Sequence, residues 1–237
     1  MKKSICIIWA SSWVWQALSE YYRAQWDEVF APTRSEYNLS NTSDIQEISK
    51  HISENNIDIV IFSAGVWFYK YFWELSEWEL QEQILVNTLA PLEILRNNRQ
   101  NFQKNNTKFV YLSSIMRHIP AKNMSVYASM KQATSQALYT LMLENANLRI
   151  LHIDLWAIQT PMHLKAGMQK TVWKNISEIL PKLIRTISTK QGSIILLWQW
   201  KILVYLVFPA LKICFVCKMF YRKMFQRKDV PTEHLYE

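Results

Sequence analysis

Glycine is almost missing: three stand in 237 residues, where an average chain of this length carries about 17. That scarcity excludes collagen-like and flexible low-complexity architectures. It also deprives the chain of the residue that normally fills tight turns and positive-φ helix ends. Cysteine is scarce as well. Cys6, Cys214 and Cys217 make no disulfide framework, and the Cys214-Phe-Val-Cys217 spacing has no second pair and lies in an apolar segment, so neither zinc nor redox chemistry is expected there. No metal site is expected anywhere. Met1-Lys2-Lys3 leads straight into an apolar run with no secretory pattern, which predicts a cytoplasmic protein. Internal repeats and long linkers are absent.

The charge is uneven in sign but not patterned. A formal net charge of +8 raises nucleic acid as a partner, yet the basic residues are dispersed until Lys218, Arg222, Lys223, Arg227 and Lys228. No element carries a basic stripe interleaved with aromatics, so nucleic-acid binding is not expected. Ile202 to Tyr221 has the length of a bilayer span but is broken by Pro209, Lys212 and Lys218. Residues 202–228 suit an amphipathic segment at the inner face of an anionic membrane, or one covering a partner subunit.

Half the residues are hydrophobic and 19% are charged, and one core can serve a chain of this size. The expected organisation is a single domain over 1–201 followed by an apolar, basic extension over 202–237. Tryptophan is the anomaly, with 11 copies; together the tryptophans and glycines come close to an ordinary glycine complement.

Ser4 to Ile8 reads as a buried strand, followed by Trp9-Ala-Ser-Ser-Trp13-Val-Trp15 and a helix over Gln16 to Gln25. Further strands are expected at Glu28 to Ala31, Ile57 to Phe62, Phe109 to Leu112, Arg149 to Leu155 and Ser193 to Leu197. Helices are expected within Asn38 to Glu54 and over Leu80 to Asn97 and Val126 to Asn145. Residues 157–192 read as a mobile, partly helical excursion over the sheet edge. Strands alternating with helices imply an α/β fold, a doubly wound parallel sheet of Rossmann-like form.

With glycine in place of tryptophan, the first connection becomes a glycine-rich turn between strand and helix. Such a turn cradles a dinucleotide pyrophosphate because bare backbone can approach it and the helix N-terminus faces it. Trp9, Trp13, Trp15, Trp26, Trp67, Trp156, Trp198 and Trp200 all fall at strand ends and turns where small residues belong. Their placement implies a gene in which one codon means glycine and the printed translation reads tryptophan.

Ser113 and Ser114 close the strand that begins near Phe109. Thirteen residues beyond Ser114, Tyr127 opens Tyr127-Ala-Ser-Met-Lys131. Tyrosine and lysine at i and i+4 share a helix face. A phenol that titrates near 10 needs a neighbouring cation to work as an acid or base near neutral pH.

In this order of features the chain resembles the short-chain dehydrogenase/reductase family over about residues 4–200. The family's glycine-rich turn corresponds to Trp9, Trp13 and Trp15, with Ser11, Ser12 and Val14 among its cofactor-binding positions. Its N-A-G element corresponds to Ser63-Ala64-Gly65, with serine replacing asparagine. Its helix asparagine corresponds to Asn87, and its Ser, Tyr, Lys set to Ser114, Tyr127 and Lys131. Its P-G-x-x-x-T segment corresponds to Leu155-Trp156-Ala-Ile-Gln-Thr160, with the proline replaced. The resemblance implies NAD(P)-dependent hydride transfer with a small carbonyl or alcohol substrate. Tyr127 then exchanges the proton, Lys131 lowers its pKa and holds the nicotinamide ribose, Ser114 orients the substrate, and Asn87 supports a proton-relay water. It also implies a homodimer or homotetramer paired through the helices Leu80 to Asn97 and Val126 to Asn145. An acid about 20 residues past the turn marks NAD and an arginine there marks NADP; Pro32-Thr33-Arg34 carries Arg34 and no acid, which favours NADP over NAD. The alternative is a non-catalytic NAD(P)-binding sensor or scaffold of the same fold.

Overall fold

Alternating β-branched and aliphatic residues along short runs give each strand two apolar faces, the requirement for a parallel sheet covered on both sides. The computed structural model describes residues 2–8, 13–119, 121–155, 158, 175–196 and positions 205, 209, 210 and 213. The chain divides into two compact units, Met1–Leu197 and Trp198–Glu237. In the first unit six parallel strands stand in the order β2-β1-β3-β4-β5-β6. They are β1 (Ser4–Ile8), β2 (Glu28–Phe30), β3 (Ile59–Phe62), β4 (Lys108–Ser114), β5 (Arg149–Leu155) and β6 (Gly192–Ile195).

The two faces follow the strand alternation. Ile5, Ile7 and Ile61 meet Leu18 of α1 (Trp13–Ala24) and Leu183 of α6 (Ile176–Thr189). Cys6, Ile8 and Phe62 meet the opposite layer, formed by α2 (Thr42–Glu54), α4 (Ala90–Lys104) and α5 (Ser125–Glu144). The order reverses between β1 and β3, because the chain leaves β1 for β2 on one side and returns past β1 to β3 on the other. A crevice opens at the carboxyl ends of strands flanking such a reversal. Among the described residues only β2 lies outside β1, and the connection after it leads into α2 on the opposite face from α1.

Two elements differ most from the sequence expectation. The helix read as Leu80 to Asn97 begins at Glu77 as α3 (Glu77–Ile84), widens into a π turn at Leu85–Leu89 and continues as α4 to Lys104. Ser76 caps α3, accepting from the backbone N–H of Glu79 at 3.2 Å, while the Glu79 carboxylate accepts from the Ser76 N–H at 2.9 Å. Within the expected excursion, α6 is a regular helix packed beside α1, with Ile179, Leu183 and Ile187 buried. Its apolar stripe covers a sheet face, which is why it folds as an element despite Pro181 inside it.

Trp26 follows α1 with φ 63°. Its N–H donates to the Arg23 carbonyl at 3.0 Å, and that of Asp27 donates to the Tyr22 carbonyl at 3.2 Å. This is the Schellman termination, whose left-handed position glycine normally fills. Among the described residues no helix is long and apolar enough to cross a membrane. Of segment 202–228 only Tyr205, Pro209, Ala210 and Ile213 are described, all exposed.

Candidate active site

The carboxyl ends of β3 and β4, the π turn and the first turns of α5 converge on one small volume. Lys131 sits at its centre, 2% exposed. Its ammonium donates to the carbonyls of Ala64 at 3.3 Å and Leu112 at 3.4 Å, and lies 4.9 Å from the ring centre of Tyr111 and 5.9 Å from that of Tyr127. Burial lowers its pKa to about 7. Tyr127 is pushed up to about 12, chiefly by burial, with a hydrogen bond to Ser114 working the other way. Burial thus outweighs any help that the ammonium gives the phenol, and both groups rest uncharged more readily than their ordinary values allow.

Gly65 makes the close approach possible. A Cβ there would stand 3.2 Å from Asn87 Oδ1 and 3.4 Å from Lys131 Nζ, so a side chain would crowd the asparagine that clamps this strand end. Asn87, in the π turn and fully buried, clamps the same strand end. Its Oδ1 accepts from the Val66 N–H at 3.2 Å and its Nδ2 donates to the Val66 carbonyl at 2.8 Å. The Asn87 carbonyl accepts from Thr134 Oγ1 at 2.8 Å and Tyr111 OH at 3.3 Å. A π turn at this point widens the helix and turns Asn87 toward the strands, a placement common at functional sites. Ser63, where the family has asparagine, donates its hydroxyl to the Ile8 carbonyl at 3.0 Å and ties β3 to β1.

Ser114 ends β4, and its Oγ accepts from the Met116 N–H at 3.2 Å, which starts the short turn Ile115–His118. Trp67 overlies the phenol, its ring centre 5.9 Å from that of Tyr127, and its indole N–H donates to the Asn123 carbonyl at 3.1 Å. The fold therefore brings Ser114, Tyr127, Lys131, Asn87, Ala64 and Gly65 together. Of the other expected cofactor positions, Trp9, Ser11, Ser12 and Thr160 lie outside the described residues, as does the side chain of Trp13. Val14 is buried in the α1 face of the core, and Trp15 packs between both faces with its indole N–H buried and unpartnered. Arg34 pairs with Glu82 on α3 at 2.5 Å.

A second buried cluster lies beside the triad and left no mark in the sequence. Arg117 donates to both Asp154 oxygens at 2.8 Å, to Gln132 at 2.9 Å and to Tyr139 at 2.7 Å. His118 lies 3.1 Å from Asp154 Oδ2. Burial works against the charge of Asp154, but hydrogen bonds from His118 and Arg117 hold its carboxyl below the ordinary value. Ser135 joins Ser113 at 3.3 Å to His152 at 2.8 Å and donates to the Lys131 carbonyl at 2.6 Å. His152 is fully buried, which lowers it to about 4. This network ties β5 and the turn after Ser114 to the helix that carries Tyr127 and Lys131. Among the described residues no cluster of His, Cys, Asp and Glu could hold a metal.

The chain matches the family model described as short chain dehydrogenase over residues 17–177. No curated protein matches. Among solved structures it is similar to an alcohol dehydrogenase from the archaeon Thermococcus sibiricus complexed with 5-hydroxy-NADP. That likeness has a TM-score of 0.66 and 18% identity, covering 82% of this chain and 96% of that one. A short-chain dehydrogenase from Sphingobium yanoikuyae in complex with NADPH has a TM-score of 0.71 and 15% identity, with 98% of each chain covered. A 4-hydroxyisoleucine dehydrogenase complexed with NADH and succinate has a TM-score of 0.67 and 19% identity, covering 81% of this chain and 96% of that one.

Proposed function

Because the chain belongs to the short-chain dehydrogenase family, we propose that this NAD(P)-dependent oxidoreductase interconverts a carbonyl and an alcohol with Ser114, Tyr127 and Lys131 as its working groups. The observation that carries the reading is the buried lysine: Nζ stands 5.9 Å from the Tyr127 ring centre and meets the backbone of both flanking strand ends. An ammonium in such a place costs several kcal/mol without partners beyond two carbonyls, and vicinal ribose hydroxyls would supply them. The bare backbone at Gly65 lets Asn87 and Lys131 close in on the same strand end. Lys131, Ala64 and Gly65 would hold the nicotinamide half, and the turn after β1 the pyrophosphate. When bound, the nicotinamide gives or takes the hydride.

The chain's own residues handle the proton. The Tyr127 hydroxyl donates to the substrate oxygen in reduction and accepts from it in oxidation. Ser114 donates a second hydrogen bond to that oxygen and keeps it in line with the phenol. Lys131 holds the phenol's side of the pocket and, once charged, favours the phenolate. Trp67 covers the phenol ring on one side.

The test is oxidation of NADPH and NADH by the full chain with a panel of aldehydes and ketones. Tyr127→Phe should lower kcat at least about 100-fold, the usual worth of a positioned acid, while leaving nucleotide affinity within about threefold. Turnover that survives in Tyr127→Phe would remove the phenol from the mechanism.

A further inference from the structure

The connection after β2 carries a pair of groups that the proton chemistry does not use. Arg34 reaches Glu82 on α3 at 2.5 Å, and Ser40 donates to the same Oε1 at 3.2 Å. The Arg34 side chain is 44% exposed and that of Glu82 is 1% exposed. Glu82 Oε2 is buried with no hydrogen-bond partner. A buried carboxylate oxygen without a donor is costly, and its neighbours give it none.

Its place in the fold says what the missing donor is. β2 and β3 flank β1 on either side of the reversal in strand order, and α3 follows β3. The ion pair therefore joins the connection after β2 to the helix after β3, and the tip of β2 is where the adenosine ribose of a dinucleotide lies in doubly wound sheets. The acid that recognises a ribose 2′-hydroxyl usually ends the second strand. Here that position has Pro32-Thr33-Arg34 and no acid.

Resting on the dehydrogenase reading, we infer that Glu82 is the specificity-determining residue for the cofactor's adenosine ribose. It withholds Arg34 from a 2′-phosphate and offers Oε2 to a 2′-hydroxyl. A 2′-phosphate would share Arg34 with the Glu82 carboxylate and lie against that carboxylate's charge. A 2′-hydroxyl supplies the donor that Oε2 lacks and leaves the pair intact. Arg34 read alone favours NADP; the pair favours NAD.

The experiment measures NADPH and NADH binding by calorimetry in the full-length chain carrying Trp9→Gly, Trp13→Gly and Trp15→Gly, so that the turn after β1 does not limit affinity. Glu82→Gln should raise the NADPH-to-NADH affinity ratio by about tenfold or more, and adding Arg34→Met should cancel the gain. Glu82→Asp keeps the charge but reaches neither Arg34 nor the ribose. It should move the ratio the same way through lost NADH affinity and serves if the glutamine variant does not fold. A ratio unchanged within twofold in a variant that still binds both nucleotides would overturn the role of Glu82 alone. A parent chain that binds neither nucleotide would overturn the cofactor reading with it.

Discussion

Trp26 holds φ 63° while its side chain is 86% exposed. A residue with a Cβ loses about 1 kcal/mol in that conformation relative to glycine, and an indole so exposed returns little by burial. Trp26→Gly should therefore raise the melting temperature by about 2–4 °C for a chain of this size, read by calorimetry. The same argument reaches the native protein: made in its own host, it should weigh less than the printed chain by the difference between eleven tryptophans and eleven glycines, and an intact mass that retains the indoles would refute the glycine reading. At this scale the sequence revealed Tyr127 and Lys131, because a four-residue spacing is a helix face. It concealed Glu82 and Arg117, whose partners lie 48 and 37 residues away; no local pattern encodes such distances.

Elements were legible where an apolar run or a 3.6-residue stripe was long enough to leave one interpretation. β1 and β5 have the bounds that the apolar runs predicted. The π turn has no signal in residue type, and Pro181 blurred the stripe of α6. The joint between β5, the turn after Ser114 and α5 was invisible, since no local spacing pairs Arg117 with Asp154. Their side chains are 5% and 0% exposed, so cutting Arg117 away leaves a buried carboxylate with only the imidazoles of His118 and His152 beside it. Arg117→Met should cost about 3–5 kcal/mol, measured by urea unfolding. Arg117→Met with Asp154→Leu should cost less than Arg117→Met alone, because the stranded charge is gone. If the network positions Ser114 and α5, kcat should fall more than KM rises in whichever variant folds.

Burial of ionisable groups at the sheet's carboxyl edge gives the whole molecule a pH dependence with a definite sign. Lys131 titrates near 7 when folded and near 10.5 when unfolded. Between those values the unfolded chain binds the extra proton, so stability rises with pH, by at most about 1.4 kcal/mol per unit from this one group. Below pH 7 both states are protonated and the full penalty for burying the ammonium is present. His152, lowered to about 4 by burial, acts over a separate window: stability falls as pH drops from about 6.5 toward 4. Lys131→Met removes the first dependence and leaves the second. The unfolding free energy of the nucleotide-free chain, followed from pH 5 to about 9, should thus rise above pH 7 in the parent and rise less in Lys131→Met, where Lys108, also lowered by burial, keeps a dependence of the same sign. The variant should also be the more stable of the two at and below neutral pH. Parallel curves for parent and variant would mean that the ammonium finds its partners without a nucleotide, and the pocket would then have no unmet need for ribose hydroxyls.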